Sequence, residues 1–227
     1  MKNIEFIGKR NIGKSFLFRG IVKKKKIHNF ISVFYCWLYK NKVIGSVSYF
    51  IILKLVLSEA TDFKKKGLFN LLVKKLYFFL IKGHNSTKEK LQKKIVVKYG
   101  KFFSKLSKIF KNDKDFRRIN KWLIDFLIGF ELSKKLNVRI ISSEGIAQRI
   151  YSICLRKRIS NKNLKAIISM LPKPSYLIYI FKKKEKNALL DRIIKVYSNQ
   201  KVKLILIKNS MDLYDKNLKK IISIYEK

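Results

Sequence analysis

The sequence predicts an α/β protein in which a central parallel sheet is flanked by helices. A short apolar run at residues 3–7 enters a glycine-bounded turn, and a helical pattern follows it from Lys14 onward. The C-terminal third alternates β-branched apolar runs with helical patterns, which is typical of parallel strands joined by crossover helices. The length of 227 residues suits one domain, so we assign 1–227 to a single unit.

Four strands are expected in this sheet, all parallel, with the first strand next to the second and the third. They are the apolar runs at residues 3–7, 138–143, 175–181 and 203–208. Helical patterns occupy the stretches between and after the later strands, at about 146–170, 185–198 and 215–225.

Residues from about 30 to 130 are expected to form a large helical insertion. This stretch is rich in Leu, Phe and Lys and has few strand signals. Apolar residues recur at three- and four-residue spacing in 67–82 and 119–136, as in amphipathic helices. The pattern at 95–99 fits either a short strand or part of a helix.

The apolar runs and the cysteines indicate in which cellular compartment the protein is expected. The longest apolar stretch, Val43 to Leu57, contains Lys54 and is shorter than a membrane span, so we expect a buried helix there, with contact at a membrane interface as the alternative. Cys36 and Cys154 form no CxxC pair and have no histidine near them in sequence, which disfavours a zinc site. With no apolar run typical of a signal peptide at the start, a cytoplasmic protein without a transmembrane segment is expected.

The net charge of +40 favours an anionic partner, such as a nucleotide, a nucleic acid or an anionic lipid. The basic residues are 45 Lys and 9 Arg, and Lys, Ile, Asn, Phe and Tyr are abundant together, as an A/T-rich coding sequence produces. Proteins that read nucleic acids rely on Arg for bidentate contacts. We therefore attribute the charge mainly to coding bias and do not favour nucleic acid as the partner.

The first turn carries a complete phosphate-binding pattern, G-x-x-x-x-G-K-[ST], formed by Gly8, Lys9, Arg10, Asn11, Ile12, Gly13, Lys14 and Ser15. In such a loop successive backbone N–H groups surround a phosphate, and the glycines permit backbone angles that a Cβ would hinder. The Lys14 amine is expected on the β- and γ-phosphates and the Ser15 hydroxyl on Mg²⁺. The alternative is a glycine-containing surface turn in a lysine-rich chain.

Glu144 follows the predicted strand 138–143, at the end where parallel sheets collect their ligands. An acid there could hold Mg²⁺ through water or act as a base toward an acceptor hydroxyl. Its alternative role is a first-turn acid favoured by the helix dipole. Arg149, Arg156 and Arg158 cluster after it in a chain poor in Arg, and they are candidates to hold phosphates, or else a solvated basic helix face.

The segment IISSEGIAQRIYS, the arginines after it and LPKPSYLIYIFKKKEKNALLDRI together resemble the C-terminal half of thymidylate-kinase-like P-loop proteins. With the first strand and loop, the resemblance covers about residues 3–20 and 138–220, and five later residues fall on its pattern: Pro172, Pro174, Ala188, Leu189 and Arg192. It implies a P-loop NTPase fold and a nucleotide kinase that uses ATP and Mg²⁺. Arg156 and Arg158 would then belong to the arginine-bearing lid of that family.

The sequence departs from this family at acidic positions. Ser143 stands where the family has the Asp of an Asp-Glu-Gly element, and Ser175 stands where an Asp follows the second proline. Glu59 and Asp62 are the remaining acids in a plausible place to act on a substrate. Nucleotide binding is thus expected to carry over, whereas thymidylate as the substrate is not.

The function predicted from the sequence is an ATP-binding, kinase-like phosphotransferase that acts on a small phosphoryl acceptor. Its site residues are the loop 8–15 with Glu144 and the three arginines, and Ser15 and Glu144 are the metal-binding candidates. The alternatives are a P-loop ATPase or GTPase switch without kinase activity, and a basic nucleic-acid-binding protein. Lys208-Asn209-Ser210-Met211-Asp212 is not the guanine-recognition motif Asn-Lys-x-Asp, so guanine specificity is unsupported. A homodimer is compatible with the sequence.

Overall fold

The fold is described from a computed structural model that covers residues 3–24, 28–46, 48–50, 85–110, 116–156, 159–182 and 187–226. Within these ranges four strands form one sheet in the order β2-β1-β3-β4, and every neighbouring pair is parallel. The strands are β1 (Asn3–Ile7), β2 (Ile140–Ser142), β3 (Tyr176–Phe181) and β4 (Lys203–Lys208). The prediction of a parallel sheet with the first strand between the second and the third is confirmed.

The central position of β1 explains its composition. Ile4 is in register with Ile141 of β2 and with Tyr176 of β3, and every residue of β1 is buried. A strand covered on both faces has a continuous apolar run, which is the pattern that identified it. On the outer side of β2, His28 forms an isolated parallel bridge with Ile140.

Helices cover both faces of the sheet. The described ones are α1 (Lys14–Lys24), α2 (Phe30–Lys40), α3 (Asn85–Lys98), α4 (Gly100–Ile109), α5 (Phe116–Leu136), α6 (Ile146–Arg156), α7 (Asn161–Ser169), α8 (Ala188–Asn199) and α9 (Tyr214–Glu226). A short 3₁₀ helix, Met211–Leu213, precedes α9. None of the helices in the described part of the chain is long and apolar enough to cross a membrane.

The described part of the segment predicted to be a helical insertion contains α2, α3, α4 and most of α5. The helix expected at 119–136 is confirmed by α5 and begins three residues earlier, at Phe116. The ambiguous run 95–99 is helical, since α3 continues to Lys98. The helix expected at 67–82 and most of the stretch Val43 to Leu57 lie outside the described residues.

The two faces of the sheet have separate cores. Phe6 of β1 packs toward α1 and α9, in a cluster with Leu17 and Leu218. Ile7 belongs to the opposite cluster, which includes Leu127 of α5 together with residues of α6 and α8. This arrangement makes three layers, with the loop that follows β1 at the edge where the strands end.

Strand β2 is shorter than the predicted run 138–143 because its first residues complete a helix instead. Asn137 has a left-handed backbone conformation, with φ of 50°. The N–H of Val138 donates to Ser133 O at 3.0 Å, which closes the last turn of α5. Pairing with β1 therefore starts only at Ile140.

Helix α6 begins directly against β1. A Cβ added at Gly145 would overlap the carboxyl group of Glu5, whose side chain is fully buried. The absence of a side chain at Gly145 therefore sets how closely the start of α6 approaches the central strand.

We expect Gly145→Ala to lower the free energy of unfolding by about 1 to 3 kcal/mol, because Glu5 has no solvent-exposed position into which it can move. Gly100→Ala is the matched control, since a Cβ at Gly100 meets nothing within 4 Å. Thermal and urea denaturation of both variants measure the difference. Equal stability of the two variants would contradict the close packing of α6 on β1.

Candidate phosphate-binding site

The loop between β1 and α1 makes an abrupt turn from strand to helix. Asn11 and Gly13 have left-handed conformations, with φ of 60° and 95°. Gly13 O accepts the N–H groups of Phe16 and Leu17, both at 3.1 Å, so the first turn of α1 forms at once. The positive end of the helix dipole therefore lies beside the loop, where it favours an anion.

Both glycines of the motif are required by close neighbours. A Cβ at Gly8 would lie 2.6 Å from Ile180 O on β3. A Cβ at Gly13 would overlap the side-chain amide of Asn209, the residue that follows β4. These contacts give a structural reason for the glycines in addition to the phosphate pattern that singled them out.

Two side chains from distant parts of the chain hold the loop. Gln148 of α6 accepts the N–H of Gly8 on its Oε1 at 3.0 Å, in a buried position. The Nδ2 of Asn209 donates to Ile12 O at 2.8 Å. The first and second halves of the loop are thus tied to α6 and to the end of β4, respectively.

Lys14 lies inside the loop and is 6% exposed. Its Nζ donates to Gly8 O at 2.9 Å and to Lys9 O at 2.6 Å. Burial lowers the pKa of Lys14 to about 8, and the negative charge of Glu144 opposes this shift. The amine is therefore still mostly protonated at neutral pH, while being poorly hydrated and held at the centre of the motif.

A cleft of about 870 Å³ opens above the loop. One wall consists of residues 10–16 and Arg19, and the other comes from α5, α6 and the turn before α6, and includes Trp122, Glu144 and Arg149. Residues 10–15 of the loop thus line one cleft with Glu144 and Arg149. This arrangement follows from the parallel sheet, whose carboxyl ends meet at one edge.

Glu144 and Arg149 form an ion pair on the cleft wall, with 2.6 Å between Oε2 and a terminal guanidinium nitrogen. The guanidinium lies 4.2 Å from the ring centroid of Trp122, in a cation–π contact. The Nε of Arg149 is buried without a hydrogen-bond partner. Arg149 is thus fixed in orientation and has a remaining donor, while Glu144 already carries a counter-charge.

Ser175 and Arg192, two positions of the family resemblance, do not line the cleft. Ser175 lies at the opposite edge of the sheet, where its N–H donates to Asn3 O at 2.8 Å. Arg192 donates to Ile159 O at 2.6 Å and so anchors the chain just after residues 157–158. Arg158, Glu59 and Asp62 lie outside the described residues, as does the side chain of Arg156.

Sequence reasoning missed three residues that shape the site: Trp122, Gln148 and Asn209. Trp122 was used only as one of the apolar residues whose spacing predicts the helix at 119–136. Gln148 lay within the IAQRI segment of the resemblance without an assigned role. Asn209 was weighed only as part of a guanine motif, although an amide just after the last strand of a parallel sheet is well placed to reach the ligand edge.

The donor set fits a polyphosphate anion and offers little to a bare metal ion. Arg10, Lys14, Arg19 and Arg149 line the cleft with Glu144 and the Ser15 hydroxyl. No group of three or more His, Cys, Asp or Glu side chains that could hold a metal exists among the described residues. This suits Mg²⁺ that arrives with phosphate oxygens and keeps its waters, because Mg²⁺ in phosphate sites needs few protein ligands.

No protein-family model, curated protein or solved structure matches this chain. The functional argument therefore depends on the loop, the cleft and the residues that hold them.

We expect Asn209→Ala to cost about 1 to 2 kcal/mol of stability, because Ile12 O loses its donor and the packing of Gly13 is loosened. Ser210→Ala is the control, since the side chain of Ser210 makes no capping hydrogen bond at the adjacent 3₁₀ helix. Chemical denaturation measures the stability, and hydrogen exchange of the peptide spanning residues 8–13 measures the loop. Unchanged exchange in Asn209→Ala would show that Asn209 does not hold the loop.

Proposed function

We propose that this protein has a P-loop NTPase fold and is an ATP- and Mg²⁺-dependent, kinase-like phosphotransferase that acts on a small acceptor. The observation that carries the proposal is the complete phosphate-loop motif at the carboxyl end of a central parallel strand, with the Lys14 amine buried inside the loop. A motif of this length arises by chance in unrelated chains, but chance does not supply the strand, the helix and the cleft around it.

Binding of the nucleotide follows from the charges of the cleft. Four cationic side chains, those of Arg10, Lys14, Arg19 and Arg149, line it with the carboxylate of Glu144. The N-terminus of α1 adds its partial positive charge. A triphosphate would replace Gly8 O and Lys9 O as the partner of the Lys14 amine, with a gain in Coulomb energy because the amine is poorly hydrated where it lies.

The metal would be held by Ser15 and by the phosphates themselves. Ser15 follows Lys14 in the first turn of α1 and lines the same cleft. Bound Mg²⁺ would supply neutralisation of the charge on the β- and γ-phosphates. Glu144 is the nearby acid that could reach it through water.

Arg149 and Glu144 are the residues to which we assign the transfer itself. The guanidinium, held over the ring of Trp122, would stabilise charge on the phosphoryl group as it moves. Glu144 would accept the proton of the acceptor hydroxyl as that oxygen attacks the γ-phosphorus and ADP leaves. The ion pair with Arg149 fixes the position of the Glu144 carboxylate on the cleft wall, with 2.6 Å between the paired atoms.

The same ion pair also favours a second candidate, a nucleotide-binding ATPase or switch without an acceptor. In the structure the Glu144 carboxylate is engaged by Arg149 at 2.6 Å, and Ser143 replaces the acid that the kinase resemblance requires. A site whose acid in the described cleft lining is already paired binds nucleotide as well as a kinase does, but has less capacity to activate a substrate hydroxyl.

We expect Lys14→Ala to weaken binding of ADP·Mg²⁺ by about 100-fold, because several charge-assisted hydrogen bonds to phosphate are lost. Calorimetry measures the affinity, and circular dichroism checks that the chain stays folded. Lys135→Ala on the exposed side of α5 is the control for a general loss of positive charge. Equal affinities of Lys14→Ala and the unaltered protein would remove the basis of the proposed function.

We expect Glu144→Gln to lower the rate at which ADP is formed from ATP by about 100-fold, while the affinity for ADP changes by less than about threefold. The reason is that a base acts in the transition state, whereas the phosphates are held by other residues. The rate is measured with ATP alone and with a panel of nucleosides and nucleotides as acceptors, and Glu89→Gln on the exposed face of α3 is the control. Small, equal effects on both quantities would favour the candidate without phosphoryl transfer.

A further inference from the structure

A carboxyl group is buried in the middle of the sheet. Glu5 is 0% exposed and lies on the central strand β1, in register with Ser142 and Leu177. Acidic side chains are rarely buried without compensation, because the loss of hydration is costly. The contacts of Glu5 therefore indicate what the structure gains from it.

The Glu5 carboxyl group caps a helix from a neighbouring strand. Its Oε2 accepts the N–H of Ala147 at 2.8 Å, and the backbone N–H of Ile146 is a further donor to it. These are among the first amides of α6, which have no partner within the helix. The other oxygen, Oε1, accepts the Nδ2 of Asn3 at 3.3 Å.

The first turn of α6 also forms a hydrogen bond with the phosphate loop. Gln148 follows Ala147 directly, and its Oε1 accepts the N–H of Gly8 at 3.0 Å. The segment from Glu5 to Gly8 is thus bonded at both ends to residues 146–148, with Glu5 as the acceptor and Gly8 as the donor. A shift of the start of α6 relative to Glu5 would move the acceptor of the first amide of the loop.

We propose that Glu5 is a positioning residue for the phosphate loop: its carboxyl group seats the N-terminus of α6 on β1, and α6 holds the first loop amide through Gln148. The significance of this role for ligand binding rests on the proposed function. The seating itself is a property of the chain alone and is testable without a nucleotide.

The groups around Glu5 make the contact between its carboxyl group and the start of α6 depend on pH. Burial raises the pKa of Glu5 to about 7, against the opposing effect of its hydrogen bonds. Tyr197 faces it from α8, with a hydroxyl that has no hydrogen-bond partner and a pKa raised well above 10, so it stays neutral. Asn3 Oδ1 is also buried without a partner. Lys14, Glu144 and Arg149 are the charged side chains on the cleft side of the loop and α6.

The two forms of Glu5 hold α6 differently. The ionised form attracts the amides of Ile146 and Ala147 through its charge, whereas the neutral form accepts them more weakly and has a proton to donate. Asn3 Oδ1 and the Tyr197 hydroxyl are unused acceptors beside it. Glu5→Gln mimics the neutral form, because its oxygen can accept from Ala147 and its amide can donate to the unused Oδ1 of Asn3 once the Asn3 side-chain amide turns over, so this variant should fold.

Amide NMR shifts across pH 5.5 to 8.5, measured without a nucleotide, test the seating. In the unaltered protein we expect the Ala147 and Gly8 amides to titrate together with a midpoint near the Glu5 pKa of about 7. Glu5→Gln should abolish this shared transition at both amides. Gln148→Met, which matches the shape but removes the acceptor, should abolish it at Gly8 and leave it at Ala147. A separate Gly8 transition near the Lys14 pKa of about 8 is expected in all three proteins, because the Lys14 amine donates to Gly8 O.

Titration of Ala147 without Gly8 in the unaltered protein would overturn the proposal, as would the absence of both titrations. Persistence at Gly8 of the transition that it shares with Ala147, in Gln148→Met, would overturn the route through Gln148. If Glu5→Gln fails to fold, the unaltered protein and Gln148→Met still decide the matter.

Measurements of ADP·Mg²⁺ affinity relate the contact between Glu5 and α6 to the proposed function. Ionised Glu5 adds a buried negative charge behind the loop, so we expect the affinity of Glu5→Gln relative to the unaltered protein to rise about threefold from pH 6 to pH 8.5. The loss of the Lys14 proton, with its pKa of about 8, weakens binding in both proteins and cancels in this ratio. A constant ratio would overturn the link between Glu5 and nucleotide binding, whereas the NMR titrations decide the positioning role itself. If the unaltered protein binds no ADP at either pH, the proposed function fails, and the NMR titrations alone decide the positioning role.

Discussion

The close approach of the first loop to its neighbours is the constraint on which the rest of the structure depends. Gly8 lies against the Ile180 carbonyl of β3, and Gly13 lies against the amide of Asn209 after β4. Gln148 accepts the Gly8 N–H from a position 140 residues away in sequence, and Asn209 reaches Ile12 across 197 residues. The loop can take this shape only when β3, the end of β4 and α6 are all in place, so the fold and the site form together.

Burial separates the functional charges from the general excess of positive charge. The chain has 54 basic residues, and many of the lysines that the structure describes are exposed. Lys14 differs, because it is almost inaccessible and bonded to two carbonyls of its own loop, and this burial lowers its pKa. Glu5 differs in the same way on the acidic side, since burial raises its pKa while the start of α6 supplies its hydrogen bonds. An inventory of charge alone does not distinguish either residue from its exposed counterparts.

The local patterns in this chain predicted elements well where one period dominated. A continuous apolar run placed β1 at residues 3–7, and a helical spacing placed α5, because burial on both faces or on one stripe leaves a direct mark on the sequence. The prediction was less accurate where neighbouring elements compete for the same residues. Val138 is β-branched and apolar, yet it closes the last turn of α5 and leaves β2 with three residues. The run 95–99 is β-branched as well, but it lies within a helix, since the period of the whole segment outweighs the propensity of a few residues.

The sequence by itself determined the α/β class, the parallel order of the strands and the position of the phosphate motif, because each depends on residues that are adjacent or regularly spaced along the chain. The parallel order also implied that Glu144 and Arg149 would face the loop, since the carboxyl ends of parallel strands share an edge. Only the tertiary structure decided that Glu144 is paired with Arg149, that Arg149 lies on Trp122, and that Ser175 is at the far edge of the sheet. It alone also decided the roles of Glu5, Gln148 and Asn209. Their partners are backbone groups, which every residue carries, so no pattern of side chains along the sequence can indicate which backbone group a distant amide or carboxyl will meet.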